Sequence, residues 1–261
     1  MNNIEKQMVE VLKRLKNDFG VIEIKAEYEN EGSRQDELMR LKDVSGVVDL
    51  PIIIKIGGVE AITDIYNSLT LGVKGIIAPM AETKFAVSKF LNAIDTFVAE
   101  DNRDEIDFAI NIETITSYKN IDEILSLANL NLLHGITIGR VDFTASMDKD
   151  RGFVDSDEML KYCTEIFQKS RAKGLKCALG GAISTNSAEF IKSLVSQNLI
   201  DKYETRKIVY DKDAVSSIDA GILAGVEFEL LWLKSKRRYY GLIKSEDEKR
   251  ITMLEKRFNG A

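Results

Sequence analysis

The hydrophobic positions of this chain switch between two periods again and again. Residues 3–18 place Ile4, Met8, Val11, Leu12 and Leu15 at helical spacing. The stretch "VIEIKAEYE" (21–29) then alternates with period two, putting Glu23, Lys25 and Glu27 on one face of a strand. An acidic loop leads into a helix over about 34–43. Pro51 opens the strand "PIIIKIGG", a position where its missing N–H costs little. A short helix is expected at 59–71, broken by Gly72 ahead of the buried strand "VKGIIAPM". A longer helix fills about 82–100, with Phe85, Phe90, Ile94 and Phe97 available for its inner face.

The second half continues the pattern. "DFAINIET" reads as a strand, a helix starts near Asn120, and "LHGITIGRVDF" is the next strand. "TASMDKDRGFVDS" is a polar loop before a helix at 157–172, closed by Gly174. "LKCALGGAIS" is a strand, "NSAEFIKSLVSQN" a helix with Asn186 or Ser187 as cap, and "DKYETRKIVYD" the last strand. From about residue 214 the chain is helical, with Ile218, Ile222, Val226, Leu230 and Leu233 in a stripe suited to core or subunit contact.

Strands alternating with helices require a parallel sheet with crossover helices. Seven strands are clear, and an eighth, short and irregular, is expected near the N-terminus or within 195–205. The fold class expected is therefore α/β, a (β/α)8 TIM barrel, with an open doubly wound sheet as the alternative. One domain spans 1–261: a barrel over roughly 1–213 and C-terminal helices over 214–261.

Composition narrows the function classes. The 261 residues carry a net charge of −6, which gives no reason to expect nucleic acid or an anionic membrane as partner. No apolar run approaches the roughly 18 residues of a membrane span, and residues 1–20 lack a signal-peptide core, so a cytoplasmic protein is expected. Two cysteines, Cys163 and Cys177, read as packing residues. The single histidine, His134, precedes its strand and reads as structural, which argues against a Ser-His-Asp triad or a multi-histidine zinc site.

The candidate chemistry sits at strand ends. Asn111 and Glu113 share a face at the end of one strand, as do Arg140 and Asp142 on the next. Glu113 and Asp142 are the candidate metal carboxylates, for Mg²⁺, Mn²⁺ or another divalent ion, and two carboxylates leave coordination positions open for substrate oxygens. Lys55 follows three isoleucines on a buried strand. It is a candidate cation for an enolate or carboxylate, or a Schiff-base nucleophile, against an ion pair with Glu27 or Glu113. Arg140 is a candidate for the substrate carboxylate or for a salt bridge to a loop acid. Glu82 either reaches the site or caps a helix. Gly57 with Gly58, and Gly180 with Gly181 and Ser184, allow close backbone approach or simply turns, and Arg206 is a further residue that would project into the pocket.

Taken together, "KIGGVEAITD", "VKGIIAPMAET", "INIETITSYKNIDEIL" and "HGITIGRVDFTASM" resemble, in order and spacing over about residues 21–147, the HpcH/HpaI aldolase and citrate lyase β-subunit family. The resemblance implies a phosphoenolpyruvate/pyruvate-type TIM barrel and a metal-dependent carbon–carbon lyase. The substrate would be a small-molecule carboxylate, either a 2-oxo acid or an acyl-thioester, cleaved through an enolate. It also implies Glu113 and Asp142 as metal ligands, Lys55, Arg140 and Glu27 as catalytic residues, and Asn111, Gly57 and Glu82 around the substrate. Family aldolases carry arginine where this chain has Lys55, and a histidine–aspartate dyad where it reads "KAEYENEG", so Glu27 and Glu29 match the citrate lyase branch. The alternatives are a Schiff-base aldolase using Lys55, or a catalytically altered barrel that binds a metabolite or partner. A homo-oligomer is expected.

Overall fold

The computed structural model describes residues 1–259. Eight strands close a barrel in sequence order: β1 (Val21–Glu27), β2 (Ile52–Lys55), β3 (Gly75–Ala78), β4 (Asp107–Ile112), β5 (Gly135–Gly139), β6 (Lys176–Gly180), β7 (Lys202–Glu204) and β8 (Ile208–Asp211). Around it run α1 (Asn3–Asp18), α2 (Gln35–Gly46), α3 (Ile62–Leu71), α4 (Lys84–Phe97), α5 (Glu100–Arg103), α6 (Ile115–Lys119) and α7 (Ile121–Ile124). They are followed by α8 (Arg140–Ala145), α9 (Asp157–Arg171), α10 (Ala188–Ser196) and α11 (Ile218–Phe258). Polar caps start the longer helices where the sequence offers them: Thr83 accepts from the Ala86 N–H and Ser156 from the Met159 N–H.

The eighth strand comes from dividing what reads in sequence as one. "DKYETRKIVYD" is a hairpin, β7 and β8, turning at residues 205–207. β1 to β7 pair in parallel, but β8 is antiparallel to both β7 and β1. So short a connection cannot make the crossover a parallel strand needs, and the chain must double back. β8 therefore ends at the opposite mouth, and α11 starts there and climbs beside α1 toward the C-terminal ends of the other strands.

Three further expectations are corrected. The β5 strand stops at Gly139, and Arg140 and Asp142 lie on α8 instead of a strand, so they do not share a face. The helix expected from Asn120 is reduced to the single turn α7 and a short 3-10 turn at Leu130–Leu132. Phe85 is solvent-exposed, and within the C-terminal stripe Val226, Leu230 and Leu233 are exposed while Phe228 and Trp232 meet the barrel.

Outward-facing strand residues such as Ile24, Ile52, Ile54, Ile76 and Ile110 pack under the helices in one core. Ile53, Ile77 and Val209 form a separate small apolar cluster inside the barrel. Among the described residues no helix is long and apolar enough to cross a membrane. His134 lies at the N-terminal end of β5, where its Nδ1 accepts the Phe108 N–H at 3.1 Å, a structural bond.

Candidate active site

β1 presents Glu23, Lys25 and Glu27 to the barrel interior, and burial forces each charge to find a partner there. Lys202 meets Glu23 at 2.7 Å, Lys25 pairs with Glu204 and stands 3.4 Å from Glu27, and Lys55 lies 2.7 Å from Glu29 and 4.0 Å from Glu27. This ladder climbs the barrel axis to a polar cavity of about 500 Å³. Lys25, Glu27, Lys55, Asn111, Glu113 and Asp142 all face that cavity. It opens at the C-terminal ends of β1–β7, the face where barrel enzymes place their chemistry.

Glu113 follows the last residue of β4 and is 1 % exposed. Its Oε1 accepts the Met80 N–H and its Oε2 accepts Asn111 Nδ2, both at 2.9 Å. Met80 reaches it with φ of +50°, a left-handed conformation an unbranched residue tolerates at some cost. Burial pushes the Glu113 carboxyl above the ordinary range; Lys55 and the two donors oppose the shift, and the charge of Asp142 adds to it. Burial also raises Asp142, with Lys55 opposing and Glu29 and Glu27 adding.

Gly139 makes room for this arrangement. A Cβ there would lie 2.6 Å from Glu113 Oε2 and 2.9 Å from its Cβ. We therefore expect Gly139→Ala to push the Glu113 carboxylate off the Met80 N–H and Asn111 and to destabilise the fold by about 1–3 kcal/mol, the usual cost of overpacking, read as a lower urea midpoint.

Among the described residues no group of three or more His, Cys, Asp and Glu side chains is assembled to hold a metal. The donors present are two carboxylates and one amide oxygen. The Asn111 Oδ1 is buried and has no hydrogen-bond partner. Such a set, all hard oxygen with most positions left for water and substrate, fits Mg²⁺ or Mn²⁺, which commonly bind through one or two carboxylates.

Lys55 stays charged. Burial works to lower its pKa, but Glu27, Glu113 and Glu29 outweigh it and the net shift is upward. Glu27 feels burial first, yet Lys25, Lys55 and Arg206 hold its carboxyl below the usual range, so it is an ionised bridge between two lysines.

Arg140 takes the second of its two readings, a salt bridge to a loop acid, and not the catalytic one. It is 0 % exposed and points away from the cavity. Its five N–H groups donate to the Gly180, Val154 and Gly181 carbonyls, to Asp155 Oδ1 and to Ser187 Oγ, and the guanidinium stacks over Phe190 at 4.7 Å. No donor is left for a substrate; it ties the β5, β6 and 151–155 segments together. Gly57 and Glu82 also lie outside the cavity lining. The Gly57 N–H is held by Asp64 Oδ2 at 2.7 Å, and Glu82 accepts from Thr114 Oγ1 at 2.8 Å, bracing the residue after Glu113.

Several cavity residues are not marked as site residues by the sequence alone. Lys25 and Glu204 meet only because the barrel closes. Glu229 of α11 lines the mouth, its carboxyl pushed up by burial against the opposing Arg206 and Lys207. Its signal was an acid at the helical spacing of the buried Gly225, Phe228 and Trp232. Arg206 does face the cavity, paired with Glu31 at 3.2 Å.

The family model described as HpcH/HpaI aldolase/citrate lyase matches residues 49–194, more than half of the chain. No curated protein sequence matches. Among solved structures the chain resembles an HpcH/HpaI aldolase from Desulfitobacterium hafniense DCB-2, with 12 % identity, TM-score 0.60, and coverage of 84 % of this chain and 88 % of the other. It resembles the citrate synthase SbnG with 18 % identity, TM-score 0.60 and coverage of 85 % and 89 %. A Haloferax volcanii malate synthase in a lead(II) complex is similar over 73 % of this chain and 61 % of that one, at 13 % identity and TM-score 0.52. At these identities the structures show a shared fold.

Proposed function

We propose, since this chain belongs to the HpcH/HpaI aldolase/citrate lyase family, that it is a divalent-metal-dependent lyase that cleaves or forms a carbon–carbon bond in a small carboxylate substrate, a 2-oxo acid or acyl-thioester, through an enolate. The observation that carries the reading is the meeting of Glu113, Asp142 and the unpartnered Asn111 Oδ1 with a charged Lys55 on one polar cavity. A divalent cation held by Glu113 and Asp142, with Asn111 beside them, would supply Lewis-acid polarisation of the substrate's keto and carboxylate oxygens.

The chain's own residues do the rest. Lys55 offers a fixed positive charge to oxygen that gains negative charge as the bond breaks, and Glu27 and Glu29 hold the ammonium in place and protonated. Glu27 positions Lys55 and Lys25. Glu229, with its raised carboxyl pKa at the cavity mouth, is the acid in this wall best matched to carrying a proton to or from the substrate. Arg206, beside it, suits a second substrate carboxylate.

Chelator-treated protein should lose cleavage of 4-hydroxy-2-oxo acids or of citrate-type acyl-thioesters and regain it with Mg²⁺ or Mn²⁺. Activity that survives complete chelation would sink the reading. The Schiff-base route requires a neutral amine, which the acids around Lys55 oppose. Borohydride reduction with pyruvate is accordingly expected to leave Lys55 without an adduct in the mass spectrum.

A further inference from the structure

We propose that Lys207 is a positioning residue for Lys55: by holding Glu31 it pins the loop between β1 and α2, and that loop carries Glu29 onto the Lys55 ammonium. The inference deepens the lyase reading and rests on it only for the effect on turnover.

The loop spans residues 28–34, and its backbone does little to hold it. The Tyr28 N–H donates to the Lys55 carbonyl at 2.8 Å and the Ser33 N–H to the Glu27 carbonyl at 3.4 Å. Between these bonds, residues 29–32 make no backbone–backbone hydrogen bond among the described residues. Gly32, with φ of +54°, turns the chain back toward α2. Side chains must therefore fix the tip of the loop. Glu29 reaches Lys55 at 2.7 Å on one side, Glu31 is held on the other, and Asn30 between them lines the cavity.

Two cations of the β7–β8 turn share Glu31. Arg206 approaches its Oε1 through Nε at 3.2 Å, and Lys207 Nζ donates to its Oε2. The two grips are unequal. The Arg206 side chain is 44 % exposed, and an ion pair that open to water contributes little. Lys207 is 2 % exposed and lies under Trp232, its Nζ 5.9 Å from the ring centre. Its own carbonyl accepts the Lys25 N–H at 2.8 Å, which fixes its backbone to β1. Burial lowers the Lys207 pKa; Glu31 is the first of the charges that oppose the shift, Glu27 the second, and Lys236 on the same indole adds to it. Glu31 is the only ion-pair partner of this ammonium among the described residues. An apolar side chain would fill the place without desolvating a charge, so what the buried pair adds is geometry, one defined position for Glu31.

That position matters to Lys55. Glu29 is its nearest acid, while Glu27 stands 4.0 Å away and is also engaged by Lys25. If the loop tip moves, Glu29 leaves with it, and the ammonium loses the contact that fixes its direction in the cavity. Lys207 does not line that cavity and acts through Glu31 and Glu29.

Competitive acetylation of the full chain with Mg²⁺ present, following Lys55 and Lys25 by mass spectrometry, is the test. Lys207→Met, close in length and apolar under Trp232, should raise the reactivity of Lys55 roughly tenfold, because losing an acid at contact distance frees about that much amine. Lys25, buried beside Glu204, should keep the wild-type rate. Glu31→Gln should give the same rise from the other side of the pair, so the result does not depend on one variant folding. Glu29→Gln should match it, and adding Lys207→Met to Glu29→Gln should change nothing further. Lys55 unchanged in both Lys207→Met and Glu31→Gln, a Lys25 rate that rises as far as that of Lys55, or additive effects with Glu29→Gln would each overturn the proposal. Turnover is read separately, and kcat should fall in Lys207→Met as Lys55 becomes reactive. The expected labelling in a protein without lyase activity would remove the lyase reading alone. Lyase activity with an unresponsive Lys55 would remove this inference alone.

Discussion

Arg140→Ala should destabilise the folded chain by about 3–5 kcal/mol, the usual cost of stripping the partner from a buried charge pair. The guanidinium is 0 % exposed and satisfies the carbonyls of Val154, Gly180 and Gly181 and the carboxylate of Asp155. Alanine takes these donors from the three carbonyls and from Asp155, and opens a void under Phe190. Arg140→Lys should recover only part of the loss, because an ammonium cannot span carbonyls that the planar fork reaches together. Urea unfolding of the chelated protein checks both, with the midpoint falling in the order wild type, lysine, alanine. An Arg140→Ala midpoint near wild type would return this residue to a functional role.

The second large effect is on turnover. Glu113→Gln keeps the volume of a side chain that is 1 % exposed and keeps an oxygen for the Met80 N–H, but removes the charge. Loss of a Lewis acid worth several kcal/mol should lower kcat/KM by roughly 10³-fold. The same substitution should leave the stability of the metal-free protein near neutral pH unchanged or raised. Burial has raised the Glu113 pKa above its unfolded value, so its contribution to stability is present at low pH and is lost as pH rises through the folded pKa. The amide does not titrate and avoids that loss. A variant that is inactive yet melts no lower than wild type separates a functional carboxylate from a structural one.

For the metal, the same protonation runs the other way. Carboxylates must be ionised to bind, so affinity should climb with pH through a window above the ordinary carboxylate range, since burial raises both Glu113 and Asp142. Metal titrations at several pH values would show that rise.

Much of the barrel was legible because its strands are buried on both faces and read as apolar runs: "PIIIKI", "KGIIA" and "GITIG" need no partner to be recognised. The β7–β8 hairpin was not, since "KYETRKIVYD" alternates without a glycine or proline to mark its turn. Glu113 was found with Asn111 because strand period places them together, and they are hydrogen-bonded. The orientation of Arg140 is not legible for a related reason: the residues after Gly139 continue an alternating pattern but form a helix, and the side a charged residue faces depends on that period. The ladder from Glu23 through Lys25 to Glu204 joins the first strand to the seventh, a pairing that exists only once the sheet closes. Glu229 enters from a helix that reaches the mouth only because β8 runs backwards.

The central claim is that Glu113 and Asp142 share a divalent cation. Calorimetric titration of chelated protein with Mn²⁺ measures it directly. One ion per chain is expected for wild type, with binding lost in both Glu113→Gln and Asp142→Asn. Unchanged binding in either variant, or no binding by the wild type at a pH where both carboxylates are ionised, would contradict it.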